Sequence, residues 1–261
     1  MKEITLTVLL SLICSIASAC GEFANNVTSM VQNNIRSSLT QKFSAINISF
    51  DTLHSQCKVW KQRLDKSIIV VPYQYEIPSD RAGSQYFGFT VVVIDEARKA
   101  IVGKSDERKL FVVNSVTPDL VEIDTANYKI RESILAFGVR LTRRNGSSAS
   151  SFRMESMNLY ILEQNKLKKI IDGILMSSYF VEGDGQCNVD GVNSESTIAI
   201  GKSVSNGYSD LLINRKTRYF ESSRDKTNCN AVNRKSGSEK YMLEFDGIAY
   251  RIPDVLRAPL D

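Results

Sequence analysis

The chain has 261 residues, of which 43% are hydrophobic and 24% charged, and a net charge of +4. Those proportions exclude a disordered chain and a multi-span membrane protein, and so mild a positive balance argues against the one-sided basic stripe of a nucleic-acid-binding protein. The length admits a sizeable core, and all-β chains of this size commonly form one domain.

Residues 1–19 read as a signal peptide. Lys2 supplies the positive start, Ile4 to Ile16 form an apolar run too short to span a bilayer, and Ala17-Ser18-Ala19 matches a small-x-small cleavage pattern. The remainder, 20–261, is expected to be one exported β-rich domain of the periplasm. Its longest apolar run, Phe87 to Ile94, is far shorter than a transmembrane helix requires.

Cysteine usage follows from that compartment. Cys14 leaves with the signal, and Cys20, Cys57, Cys187 and Cys229 form an even set expected to pair as two disulfides. Pairing Cys20 with Cys57 and Cys187 with Cys229 would bracket two local segments. A second reading stays open at Cys20. Ser18-Ala19-Cys20-Gly21 resembles a bacterial lipoprotein processing site, at which Cys20 would be acylated and tether the protein to a membrane, although Ala17 stands where such sites carry a large aliphatic residue.

An amphipathic helix is expected over about 26–45, capped by Asn25 or Asn26, because Val27, Met30, Val31, Ile35, Leu39 and Phe43 recur at three- and four-residue spacing. Its few cations make it a helix for packing on a β body rather than on a membrane surface. Pro72, Pro78 and the turn Asp80 to Ser84 bracket a strand at Ser67 to Val71 with an edge continuation through Tyr75. Tyr86 to Asp95, apolar on both faces, reads as a buried strand and forms a hairpin with Ala100 to Lys104.

Strands follow at Lys109 to Asn114 and Val121 to Asp124, kept apart by Pro118. Leu135 to Thr142 alternates Phe137, Val139 and Leu141 with Gly138, Arg140 and Thr142. Met157 to Glu163 pairs with Leu167 to Ile171 across Gln164-Asn165-Lys166, and the pattern extends over Asp172 to Tyr179. Thr197 to Ile200 and Tyr208 to Ile213 flank the turn Asn206-Gly207, and Lys240 to Phe245 with Ile248 to Ile252 flank Asp246-Gly247. Between these strands Asn145 to Ser151, Glu182 to Ser194 and Arg224 to Glu239 read as polar loops. The fold expected is mainly β, an antiparallel sandwich or open-barrel-like body of about ten to twelve strands with one N-terminal helix.

Chemistry is sparse. Asp184, Gln186, Asn188, Asp190 and Glu195 follow an EF-hand spacing, but Val189 stands where the sharp turn demands Gly and no helices flank the loop. Ser205 to Ile213 resembles a calcium-binding propeller turn, yet Lys202, Ser203 and Val204 replace its acidic run. His54, the one histidine, has no nucleophile elbow near it in sequence. Carboxylate pairs such as Glu155 with Glu163, or Asp119 with Glu122, do not by themselves define a glycosidase site. Asn26, Asn47 and Asn145 open sequons that matter only in a eukaryotic host. No cofactor, metal set or catalytic residue is expected.

The order IDTANYKI (123–130), AFGVRL (136–141), MNLYILEQNKLKKIID (157–172), SSYFVEGDGQC (177–187) and SNGYSDLLI (205–213) resembles a group of uncharacterised exported proteins of Gram-negative bacteria. The group is loosely similar to periplasmic immunity proteins that accompany type VI secretion effectors. The resemblance implies a strand-and-turn scaffold that binds a protein partner, a toxin or an envelope enzyme, and it assigns no functional residue. The other expectations are an envelope structural or assembly lipoprotein anchored through Cys20, and a hydrolase using His54 or a carboxylate pair.

Overall fold

The computed structural model describes residues 20–43, 46–51, 54–77, 84–225 and 228–259. The signal peptide expected at 1–19 and most of the Asp80–Ser84 turn lie outside them. The described chain is mainly β, with one N-terminal helix: α1 (Glu22–Lys42), β1 (Asn47–Phe50), β2 (Gln56–Val59), β3 (Lys66–Glu76), β4 (Gln85–Asp95), β5 (Ala100–Val113), β6 (Val116–Arg131), β7 (Ile134–Asn145), β8 (Ser150–Glu163), β9 (Lys166–Gly183), β10 (Val189–Ser205), β11 (Tyr208–Asp225) and β12 (Asn228–Leu243).

The helix starts before its expected cap. Gly21, in extended conformation, is the N-cap, and the Ala24 N–H donates to its carbonyl at 3.0 Å. Ala24, Val27, Val31, Ile35 and Leu39 make the buried stripe, whereas Met30, expected on it, is exposed. That stripe covers one face of the first sheet, packing on Ile69, Val71, Tyr73, Tyr75, Val92 and Ile94. Cys20 is disulfide-bonded to Cys57, which ties the start of α1 to β2.

In the first sheet β3 pairs with β4 along its whole length and β4 with β5, while β1 and β2 share the other edge of β3. The strand runs on past Pro72 through Tyr75, as expected, to Glu76. The Pro72 carbonyl accepts from Asp51 N–H on that shared edge, so the proline's missing N–H falls in the gap between β2, whose first residue Gln56 lies opposite Val70, and β1, whose last residue Phe50 lies opposite Tyr73. The opposite face of this sheet presents Ile68, Val70, Phe87, Phe89, Val91 and Val93 to a second core.

The second sheet is a seven-stranded antiparallel meander in the order β12-β11-β10-β9-β8-β7-β6. Its Val121, Ile123, Phe137, Val139, Leu141 and Tyr160 pack against the first sheet around Trp60 and close the sandwich. The break expected at Pro118 lies at Asn114–Ser115 instead; Pro118 sits inside β6, an edge strand, beside a bulge. Hairpin turns follow the sequence reading: Gln164 and Asn165 have φ of 49° and 58°, and Asn206 and Gly207 have φ of 47° and 81°, as type I′ turns require.

Two expected loops are strand instead. Glu182 to Ser194 becomes the end of β9, a short turn and the start of β10, and Arg224 to Glu239 becomes mostly β12. The strands β8 to β12 thereby run well past the sandwich as a ribbon. Cys187 and Cys229 form the second disulfide and tie the β9–β10 turn to β12.

At the other end the second sheet splits. β9 and β10 pair only over Ser177–Gly183 and Val189–Glu195. The C-terminal tail fills the gap: Tyr250 N–H donates to Ile170 O and Ala258 N–H to Gly173 O, each at 2.8 Å, and Ile174 bridges Arg257. The terminal hairpin expected around Asp246-Gly247 is reduced to a single bridge, Phe245 to Tyr250. Phe245, Tyr250, Ile252 and Leu256 enter the third core with Met157, Leu159, Ile171, Ile174, Leu211 and Ile213.

Candidate functional site

Residues directly opposite each other in a β-ladder point to the same face. Following the register across the ribbon places Arg144, Arg153, Tyr179, Asn193, Arg218 and Ser236 in one row from β7 to β12. The neighbouring row on that face is Glu155, Ser177, Glu195, Lys216 and Ser238. These rows line two adjoining grooves of about 640 and 480 Å³ that share Asn193 and Glu195.

Four cations thus stand on one shallow face, with Glu195 between them. Arg144 and Arg153 both reach Asp119, at 2.7 and 3.8 Å, and both remain about 60% exposed, at 61% and 60%. Exposed pairs of this kind contribute little to stability. Tyr179 and Phe220 stack at 6.0 Å, and Gly191 between them explains how: a Cβ there would stand 2.3 Å from the Phe220 ring. A glycine in a strand interior marks a close approach, and here the approach is an aromatic ring laid flat over the backbone.

The inner end of the face is fixed by a charged network. Arg140 donates to Asp124 at 2.7 Å and to Glu155 at 2.5 Å, and the Tyr128 hydroxyl donates to Asp124 at 2.9 Å. Burial pushes the Asp124 carboxyl up, but the Ala126 N–H and the Arg140 guanidinium outweigh it and hold the group below its usual range. Burial also pushes the Tyr128 hydroxyl up to about 12, with the Asp124 charge adding to the effect.

Between the two sheets lies a second polar cluster. Glu107 accepts from Tyr160 at 3.0 Å, from Ser105 at 2.8 Å and from Lys169 at 2.7 Å, and Asn158 donates to the Tyr160 hydroxyl at 3.2 Å. Every member has a partner, as a buried polar network requires.

The other candidates are dispersed. His54 is held by Asp51, whose carboxylate takes the His54 backbone N–H at 3.1 Å and its ring Nδ1. Glu155 is committed to Arg140 and Glu163 to Lys168 and Tyr208. Asp184 accepts from the Gln186 and Asn188 backbones as the clasp of a turn, and Glu195 lies away from it on β10. Among the described residues no group of three or more His, Cys, Asp or Glu is arranged to hold a metal ion, and no helix is long and apolar enough to cross a membrane.

Of the three segments read as polar loops, the β7–β8 and β9–β10 turns meet, Gly183 N–H donating to Ala149 O at 2.8 Å, and the Cys187–Cys229 disulfide ties the second of them to β12. The larger surface is the ribbon behind them. Its one readable signal was Arg215-Lys216-x-Arg218, whose second and third cations alternate onto the grooved face. Comparison with protein-family models, curated proteins and solved structures returns no match.

Proposed function

We propose that the protein is a non-enzymatic binding protein of the periplasm, an immunity or inhibitor protein that blocks a secreted toxin or envelope enzyme through the grooved face of its ribbon. The observation that carries this reading is the crosswise row Arg144, Arg153, Tyr179, Asn193, Arg218, Ser236 on a ribbon whose far end is disulfide-tied. Arg and Tyr are the residues that dominate binding energy at protein interfaces. Rigid strands present them at little cost in conformational entropy. Two disulfides suit an oxidising compartment, and the signal-like segment at 1–19 supplies the route. The face would meet an acidic surface on its partner. The class of partner rests on the resemblance to immunity proteins.

The test is capture from the source organism with the disulfide-bonded protein, followed by an activity assay of whatever is retained. The expected result is one stoichiometric toxin or hydrolase whose activity falls on addition of the protein, with Arg153→Glu and Arg218→Glu each weakening the complex roughly tenfold or more. A hydrolytic activity of the protein itself, abolished by a single substitution such as His54→Ala, would sink the reading.

The lipoprotein alternative needs the same sulfur that Cys20 shares with Cys57. Labelling with a fatty acid separates the two: incorporation lost in Cys20→Ser establishes the anchor, and its absence leaves the soluble disulfide form.

A further inference from the structure

On β7 the apolar row Phe137, Val139, Leu141 continues to Arg143, which points into the sandwich and is only 4% exposed. A buried guanidinium normally meets a carboxylate, because removing its charge from water is costly without one. Arg143 meets none. One Nη donates to the Pro259 carbonyl, the guanidinium lies 4.8 Å from the Phe111 ring centre, and its Nε is buried without a hydrogen-bond partner. Burial alone lowers its pKa, with no charge acting to restore it.

The group lines a cavity of about 40 Å³ at the sandwich mouth, walled by Leu110, Phe111, Val139 and Leu141 with Ser156 beside them. A water needs roughly 10–15 Å³ of such space, so the cavity holds a few non-hydrogen atoms. Two of the other polar side chains on its wall are occupied: Asn158 by Tyr160 and Gly173, and Asp172 at the rim by Lys169.

We propose that this cavity is a binding site for a small carboxylate. The planar group would accept from the Arg143 guanidinium, and its first carbon would rest on Leu110, Phe111 and Leu141. Guanidinium edges recognise planar carboxylates by geometry as well as charge. A tetrahedral phosphate is larger and needs more donors than remain here. The site faces away from Arg144 and the grooved ribbon face, so it stands or falls apart from the function proposed above.

The test uses the disulfide-bonded protein at constant ionic strength, titrated with sodium acetate and with acetamide while backbone amide resonances are followed by NMR. Acetate is expected to shift the Gly173 and Ala258 amides saturably and acetamide not to. Arg143→Lys, which keeps the charge and loses the planar fork, is expected to weaken acetate at least tenfold. Equal shifts from acetate and acetamide in the wild-type protein overturn the proposal, and that comparison needs no variant to fold. An acetate response unchanged in Arg143→Lys overturns it as well, as does an Arg143 Nε–H resonance that moves when Leu260 and Asp261 are deleted without added ligand, since the chain's own carboxylate would then be the partner. Tighter binding of free acetate than of N-acetylaspartate methylamide assigns a free acid as the natural ligand; the reverse order assigns an acidic side chain of a protein.

Discussion

Trp60 is fully buried at the centre of the sandwich, edge-on to Phe137 at 5.0 Å and beneath the Arg63 guanidinium at 5.5 Å. Removing so large a side chain leaves a cavity that its β-sheet neighbours cannot fill, so Trp60→Ala should lower stability by about 3–5 kcal/mol in chemical denaturation. As the only tryptophan, it also reports on the sandwich: its emission should be blue-shifted in the folded protein and move red in one cooperative step. Asp124 gives stability a pH dependence of definite sign. Its folded pKa lies below its ordinary value, so its contribution is present above the unfolded pKa of about 3.9 and is lost as pH falls through the folded value. The melting temperature should therefore fall as pH drops below about 4, and Asp124→Asn should flatten part of that slope while being less stable at neutral pH. Gly191→Ala should drive the Phe220 ring off Tyr179. We expect weaker partner binding with the core intact, seen as an unchanged Trp60 emission.

Among the elements, the C-terminal tail carries weight out of proportion to its irregular backbone. Leu256 is fully buried, and the Tyr250 hydroxyl donates to the Ser209 carbonyl at 2.6 Å. Leu256→Ala should cost about 2–5 kcal/mol and Tyr250→Phe about 1 kcal/mol, both measured by denaturant midpoint. Beyond Ile252 this tail was not legible as a core element, because a run that adds only single bridges to a sheet shows no sustained alternation. Strands over the sandwich were legible for the opposite reason: Phe137, Val139 and Leu141 alternate because one face is buried. The ribbon ends of β10 and β12 were read as loop since both faces meet water there, and a strand without a buried face carries no period of two. Arg143 was hidden by the same rule, for a cation at the end of an apolar row looks like the place where the strand stops.

At the scale of the whole molecule, the disulfides sit at opposite extremes, one securing the helix layer and the other the ribbon. They span 37 and 42 residues, and closing loops of that length contributes about 4 kcal/mol each in the chain-entropy account. Replacing Cys187 and Cys229 together by Ser should therefore lower stability by up to that amount, and hydrogen exchange should quicken in the ribbon before the sandwich. The cysteine count and their local spacing made both bridges legible, whereas the face that the second one holds in place depends on strand register, which polar residues alone do not specify.

The position of the tail has a consequence for the order in which the protein is made. A ribosome delivers Phe245, Tyr250, Ile252 and Leu256 after every strand they complete, and the gap between β9 and β10 stays open until they arrive. The first sheet and the helix are built from residues made well before these, but the third core waits for residues 245–256. That core is therefore completed only once residues 245–256 have been made, and a chain cut short before Phe245 stays open along that seam.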